Sequence, residues 1–299
     1  MHLNSKENIM LNIKDVNEKL RRCPEPREIT EIREKIKSKF SNLEFIPEGH
    51  KYFLHKESGT KEMHSVSSVC HRFEPSVDWE SILENKAKKE GIGKEELRRK
   101  WRENNITSTS NGSLTHLFAE AYMYFMMGDI DSMPSIIREM QYEDGFLIPY
   151  GNKQIAVAKY YEDMFKFDNL FPIIPEAQIY IDADDNPYGI KTDISGTVDA
   201  LFGFVPKHGD IKLSIRDWKT NKSLESDFNQ NKGNMLLPPF GSFIDEPKSI
   251  YTIQLSLYQL GVMQVYDIIA DRKLLWLRDD AEYQKIDVPD VSKTLIQVL

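Results

Sequence analysis

Two acids and a lysine stand at the ends of two neighbouring apolar runs. One run reads GTVDALFGFV and carries Asp199; the other reads IKLSIRDWKT and carries Asp217, Trp218, Lys219 and Thr220. Between them lies PKHGD, a turn by composition. A hairpin symmetric about His208 places Asp199 opposite Asp217, Leu201 opposite Ile215, Gly203 opposite Leu213, Val205 opposite Ile211, and Lys219 opposite Thr197. Side chains alternate faces along a strand. One face is then apolar along Leu201, Val205, Ile211, Leu213 and Ile215 and ends in Asp199, Asp217 and Lys219. Like charges opposed in a sheet are destabilising, and burial at the rim of an apolar face raises the cost. Lys219 or a divalent cation can neutralise them. Mg²⁺ uses one or two carboxylates together with substrate phosphate oxygens and water. The chemistry on offer is hydrolysis of a phosphate ester. The plainer reading is a strand end leaving the core into solvent, and a one-residue slip in register would remove the pair.

Other residues join these by spacing alone. His116 and Glu120 lie one turn apart on an apolar helix, which fits either a local His–Glu hydrogen bond in the core or a ligand pair. Gln254 and Tyr258 share a helix face, either as a polar interruption or aimed at the acids. Glu176 opens the strand PEAQIYID and is a further acid near the site. His2, His50, His55, His64, His71 and His208 read as surface or turn residues.

The elements that must position these residues alternate in type. Residues 1–42 carry two helical runs, Ile9–Arg22 and Arg27–Phe40, separated by Pro24 and Pro26. Ile29, Ile32, Ile36 and Phe40 give the second run one apolar face, suited to a helical cap or a docking arm for a protein partner. A hairpin spans Leu43–His55 and turns at Glu48-Gly49. Trp79–Arg102 is a charged helix, either a solvated face laced with Glu or a phosphate-tracking surface. TSTSNGS opens a separate apolar helix that ends at Gly128-Asp129. A helix over Tyr150–Phe167 precedes three strands, and a helix over Ile250–Ala270 precedes the strand KLLWL. The order predicts an α/β or α+β fold with a central mixed sheet flanked by helices. Residues 1–42 form an N-terminal extension and residues 43–299 the main domain.

Residues 223–249 make a long connection between the Lys219 strand and the Gln254 helix. Lys222, Lys232 and Lys248 stand in or beside it with Phe228, Phe240 and Phe243. Such a loop either covers the cleft, holding a single strand by charge and stacking, or is pinned to the core by its phenylalanines and Leu236-Leu237.

Composition narrows the partners. The 299 residues have a formal net charge of −8, which argues against a protein that coats nucleic acid through general basicity, but not against a local basic groove. With only 2 cysteines, Cys23 and Cys70, a disulfide framework, a zinc ribbon and a four-cysteine iron–sulfur cluster are excluded and both read as free thiols. No apolar run is long enough to span a membrane, and the N-terminus lacks the apolar core of a signal peptide, so an intracellular setting is expected.

Taken in order, Gly112 with His116, Gly196 with Asp199, Asp217-Trp218-Lys219-Thr220, and Gln254 with Tyr258 resemble the PD-(D/E)XK nuclease superfamily. They are most similar to its RecB-like exonuclease branch, which includes mitochondrial genome maintenance and phage exonucleases. The resemblance covers roughly residues 43–285. It departs in having Val198 before Asp199 where the family name has proline, and no P-loop motif accompanies it. It implies a restriction-endonuclease-like core acting on DNA with Mg²⁺ or Mn²⁺. It also implies His116, Asp199, Asp217 and the main-chain carbonyl of Trp218 as metal ligands, with Lys219, Gln254 and Tyr258 beside the reacting phosphate. The expected activity is an exonuclease on single-stranded DNA ends in the cytoplasm, the host's if the chain is phage-encoded. A structure-specific endonuclease and a non-catalytic nucleic-acid-binding or assembly subunit are the alternatives. The intact acid–acid–lysine set speaks against the last.

Overall fold

The computed structural model describes residues 10–299 except Asp168. Helices α1 (Ile13–Arg22) and α2 (Arg27–Lys39) lead into β1 (Leu43–Ile46), β2 (Lys51–Lys56) and β3 (Gly59–Ser65). Next come α3 (Val66–Cys70), α4 (Trp79–Glu90), α5 (Lys94–Met127) and α6 (Ser135–Gln141). A small hairpin, β4 (Tyr142–Glu143) and β5 (Phe146–Leu147), precedes α7 (Asn152–Phe167). The chain then forms β6 (Leu170–Ile181), β7 (Ile194–Phe204), β8 (Lys212–Lys219), α8 (Asp227–Lys232), α9 (Pro247–Met263), β9 (Ile269–Leu277), β10 (Tyr283–Asp287) and α10 (Ser292–Val298).

Eight strands form one sheet in the order β1-β2-β3-β7-β8-β9-β10, with β6 also paired to β7. The β3–β7 and β8–β9 pairs are parallel and the rest antiparallel, so the fold is α/β with a mixed central sheet. The hairpin register is the expected one: Leu201 pairs with Ile215 and Gly203 with Leu213. Strand β8 is buried over most of its length because both faces are covered. Leu201, Leu213 and Ile215 enter a core with Ile253 and Leu257 of α9. Ala200, Phe202 and Trp218 enter a second core with Phe118 of α5 and Tyr161 of α7. The Trp218 ring is fully enclosed and meets Tyr160 edge-on, centroids 5.3 Å apart. Burying a side chain of this size contributes about 2–3 kcal/mol.

Helix α2 lays Ile29, Ile32, Ile36 and Phe40 into the first core, so the face that suggested a docking arm packs on the chain's own sheet. Arg33 of α2 donates to the carbonyls of Ile173 (2.7 Å) and Pro172 (2.9 Å) on β6. Helix α1 begins at Ile13 with Asn12 as its cap, later than expected, and Ile9 lies outside the described residues.

Four further boundaries differ from the sequence expectation. The charged segment is two helices: Gly91 takes a left-handed conformation (φ 67°) and ends α4, and α5 starts at Lys94. TSTSNGS does not cap a helix; it lies inside the 34-residue α5. There Thr107 and Thr115 donate to the carbonyls four residues back, at 3.0 and 2.8 Å, so the helix continues through them. The helix expected over 250–270 stops at Met263, and β9 starts at Ile269. Strand β6 starts at Leu170, five residues ahead of the expected PEAQIYID, which begins at Pro175.

The basic residues of α4 and α5 are largely matched by glutamates. Lys94 lies 3.1 Å from Glu84, Arg98 2.5 Å from Glu80, Arg99 3.0 Å from Glu103 and Lys100 3.0 Å from Glu96. In the 223–249 connection, Leu236 and Phe240 are buried in the first core and Phe243 packs against it, while Phe228 stays exposed. Its phenylalanines therefore pin it more than they cover a cleft. Cys23 and Cys70 are both free. Among the described residues no helix is long and apolar enough to cross a membrane.

Candidate metal centre

The site lies at a fork in the sheet. On one edge, β7 pairs with β3 at Ile194 and Ser195 and with β8 only from Ala200 onward. Neither strand pairs with residues 196–199, which leaves Gly196, Thr197 and Asp199 facing a gap. Alternation also breaks here: Val198 belongs to the first core and Ala200 to the second. A cavity of about 270 Å³ occupies the gap, lined by His116, Glu176, Asp199, Asp217, Lys219, Gln254 and Tyr258 together with residues of the β2–α3 region.

Asp199 reaches two elements at once. Its Oδ2 accepts from the main-chain N–H of Trp218 at 2.7 Å and lies 3.5 Å from His116 Nδ1. Ligand atoms of His116, Glu176 and Asp199 lie within 4.8 Å of one another. Glu176 holds a left-handed backbone, φ 47°, in the middle of β6. A non-glycine residue there costs about 1–3 kcal/mol, a cost the surrounding strand pairing must hold in place. Burial, then Asp199, Glu120 and Asp217, push the Glu176 carboxyl well above the usual carboxylate range.

Asp217 is 1% exposed, and neither carboxylate oxygen has a hydrogen bond among the described residues. Lys219 Nζ approaches Oδ2 at 2.6 Å as an ion pair outside hydrogen-bond geometry. Burial pushes the Asp217 carboxyl up; Lys219 pulls it down and Asp199 pushes it up again. For Lys219, burial works against the ammonium, but Asp217, Tyr251 and Asp199 outweigh it and hold the group charged. The same Nζ donates to Gln254 Oε1 at 3.2 Å and sits 3.8 Å above the Tyr251 ring. Gln254 Nε2 donates to Tyr258 Oη at 2.8 Å, so the helix pair forms a relay to the lysine.

Two glycines let these elements close in. A Cβ on Gly196 would stand 2.9 Å from Tyr258 Cε1 and 3.0 Å from Val66 Cγ2. A Cβ on Gly112 would stand 3.2 Å from Thr220 Oγ1, where α5 passes the end of β8.

The donor set fits a hard divalent cation. Carboxylates and one imidazole suit Mg²⁺ or Mn²⁺, and Asp217 Oδ1 is a buried acceptor with no hydrogen-bond partner, while Oδ2 is paired with Lys219. Of the residues singled out by sequence, Glu120 is not brought to the cavity wall. Trp218 contributes its N–H to Asp199 while its ring packs in the second core. Lys219 does not meet Thr197. Thr197 Oγ1 instead shares a 3.0 Å hydrogen bond with Tyr52 Oη. Tyr52 lines the cavity and was not anticipated; Ser65 and Ser67 line it too, in the segment SVSSV (65–69) that shares the family resemblance, and His50, read as a turn residue, is both in the turn and on the cavity wall. The only sequence signal at Tyr52 is the apolar alternation of β2, which says nothing about a contact with residue 197. Compared with known proteins, the chain matches no family model and no curated sequence.

Proposed function

We propose that this chain is a metal-dependent nuclease that hydrolyses phosphodiester bonds in DNA, acting as an exonuclease on single-stranded ends in the cytoplasm. One observation carries the hydrolytic reading. A buried carboxylate, Asp217, pairs through Oδ2 with the caged ammonium of Lys219 and leaves Oδ1 without a hydrogen bond, in the same cavity as His116, Glu176 and Asp199. Asp199, Asp217, His116 and Glu176 would hold Mg²⁺ or Mn²⁺, with the Trp218 carbonyl as a further ligand. A bound divalent cation supplies charge neutralisation at the phosphate and acidifies water there. Lys219, steadied by Gln254, would orient the attacking water through a hydrogen bond or stabilise a phosphoryl oxygen as negative charge grows on it. Tyr258 fixes Gln254 and so the lysine. DNA as the polymer, and ends as the point of attack, rest on the family resemblance.

The test is incubation of purified protein with linear and circular, single- and double-stranded DNA, in Mg²⁺ and in EDTA. Mg²⁺-dependent loss of linear single strands with circles left intact is expected. Cutting of circles makes it an endonuclease, and no cleavage of any substrate overturns the enzymatic reading.

A further inference from the structure

A second cavity of about 400 Å³ lies where α5 meets the start of α7, lined by Asn111, Thr115, Tyr150, Asn152, Lys153 and Asp279 among others. It adjoins the candidate metal centre at two points. Thr115 lines this cavity and His116 the other, with Cα atoms about 3.8 Å apart as for any neighbours in a chain. Lys153 Nζ donates to the carbonyl of Thr220, the residue after Lys219.

The cavity is framed by an aromatic ring that is exposed and yet held. Tyr150 is 65% exposed, but its N–H donates to Gln154 Oε1 at 2.8 Å and its hydroxyl donates to the Met140 carbonyl. Gln154 is itself buried and fixed, accepting from Gln141 at 2.8 Å and donating to the Leu114 carbonyl at 3.3 Å. An exposed ring anchored at both ends loses little side-chain freedom when a flat partner settles on it. The charges in the cavity oppose each other, Lys153 lying 3.3 Å from Asp279. Its wall is therefore nearly neutral and offers amide and carboxylate groups, which suits the edge of an uncharged base better than a phosphate.

We propose that this cavity is a nucleobase subsite. The base beside the scissile phosphate of a single strand leaves its stack and lies on Tyr150. The inference rests on the nuclease reading above and adds to it a requirement for unpaired bases.

The test measures binding of fluorescein-labelled single-stranded DNA in EDTA, with one abasic position walked along the strand end. In wild type, one position weakens binding by roughly five- to a hundredfold, the range for losing a base–aromatic stack. Tyr150→Ala weakens the intact strand by a similar factor and is indifferent to the abasic site at that position, whereas Tyr150→Phe keeps the sensitivity. Asn111→Trp, which fills the cavity from an exposed helix position, removes the sensitivity without touching Tyr150. If Tyr150→Ala and Asn111→Trp both retain wild-type sensitivity while wild type binds and cleaves, the subsite is wrong and the nuclease reading stands. If wild type neither binds nor cleaves single strands, both fall.

Discussion

Asp199 on β7 accepts the main-chain N–H of Trp218 on β8 at 2.7 Å, across the point where the β7–β8 ladder has ended at the Ala200–Arg216 pair. The side chain thus takes the place of a main-chain acceptor and stitches the fork together. The residues on either side of Trp218 are Asp217 and Lys219, so the bond holds a second acid and the ammonium at the same level as Asp199. Three carboxylates and one ammonium then share a largely enclosed space. Their mutual repulsion is relieved in part by Lys219, paired with Asp217, and in part by the Glu176 carboxyl, whose proton affinity rises.

Asp217→Asn keeps the shape of the side chain and removes its charge. Cleavage is expected to fall by more than about a hundredfold, beyond the 10–100-fold typical of losing an outer partner of a metal ligand. Single-strand binding in EDTA should stay at the wild-type level, because in the proposed centre the Asp217 carboxylate would hold metal rather than touch the DNA. Rate and anisotropy measured on one preparation check both. Cleavage close to wild type would remove Asp217 from the centre.

Mg²⁺ or Mn²⁺ is expected to raise the melting temperature. A ligand at a hundred times its Kd stabilises the folded state by about 2.7 kcal/mol. The shift between EDTA and saturating metal should vanish in Asp199→Ala, which removes a proposed ligand from the group with His116 and Glu176. It should also shrink as pH falls, since the ligands bind metal deprotonated and burial holds Glu176 above the usual range. Identical wild-type melts with and without metal would mark the acids as a buried polar cluster that binds no divalent cation.

Glu120 gives a pH dependence of its own. Burial pushes its carboxyl up to about 7 in the folded protein, from 4.5 when free. Between these values the folded state binds more protons than the unfolded one, so stability falls as pH rises through the window. Below 4.5 the group contributes nothing to the difference, and above about 7 the loss is complete. Glu120→Gln should therefore melt higher than wild type at pH 8 in EDTA, with the gain disappearing toward pH 4.5. A gain that is the same at both pH values would mean the carboxyl is not perturbed.

The hairpin carrying Asp199 and Asp217 was legible because its strands alternate and its turn is short, so local pattern alone sets the register. The seven site residues that meet in the cavity lie on β6, β7, β8, α5 and α9, and each was accessible from type and spacing. The fork itself was not legible. It depends on the parallel pairing of His64 and Ser65 with Ile194 and Ser195, a contact between segments with no local connection. Tyr52 reaches Thr197 through the same pairing, which is why it was missed. The polar run in α5 misled for a different reason. Ser and Thr favour caps by bonding to nearby backbone, but Thr107 and Thr115 make that bond to the preceding turn, and the helix persists. Glu120 shares a helix face with His116, yet His116 turns to Asp199 and leaves Glu120 off the cavity wall.

The connection from β8 to α9 offers a contrast between two phenylalanines. Phe240 is 1% exposed, meets Phe73 edge-on with centroids 4.8 Å apart, and lies 6.1 Å from Phe243. The neighbouring Leu237 N–H donates to the Phe73 carbonyl at 2.7 Å, so the segment is fastened to the turn after α3 by main chain and rings together. Phe228 on α8 is 68% exposed. Truncating a buried phenylalanine costs about 3–5 kcal/mol, through reduced burial and the cavity left behind. A surface change away from such packing stays within about 0.5 kcal/mol. Phe240→Ala should therefore lower the urea midpoint strongly while the folded fraction binds single-stranded DNA as wild type does. Phe228→Ala should leave the midpoint in place. Had the segment been a lid that grips the strand, Phe240→Ala would instead weaken binding with little change in stability, and that result would return the lid to consideration.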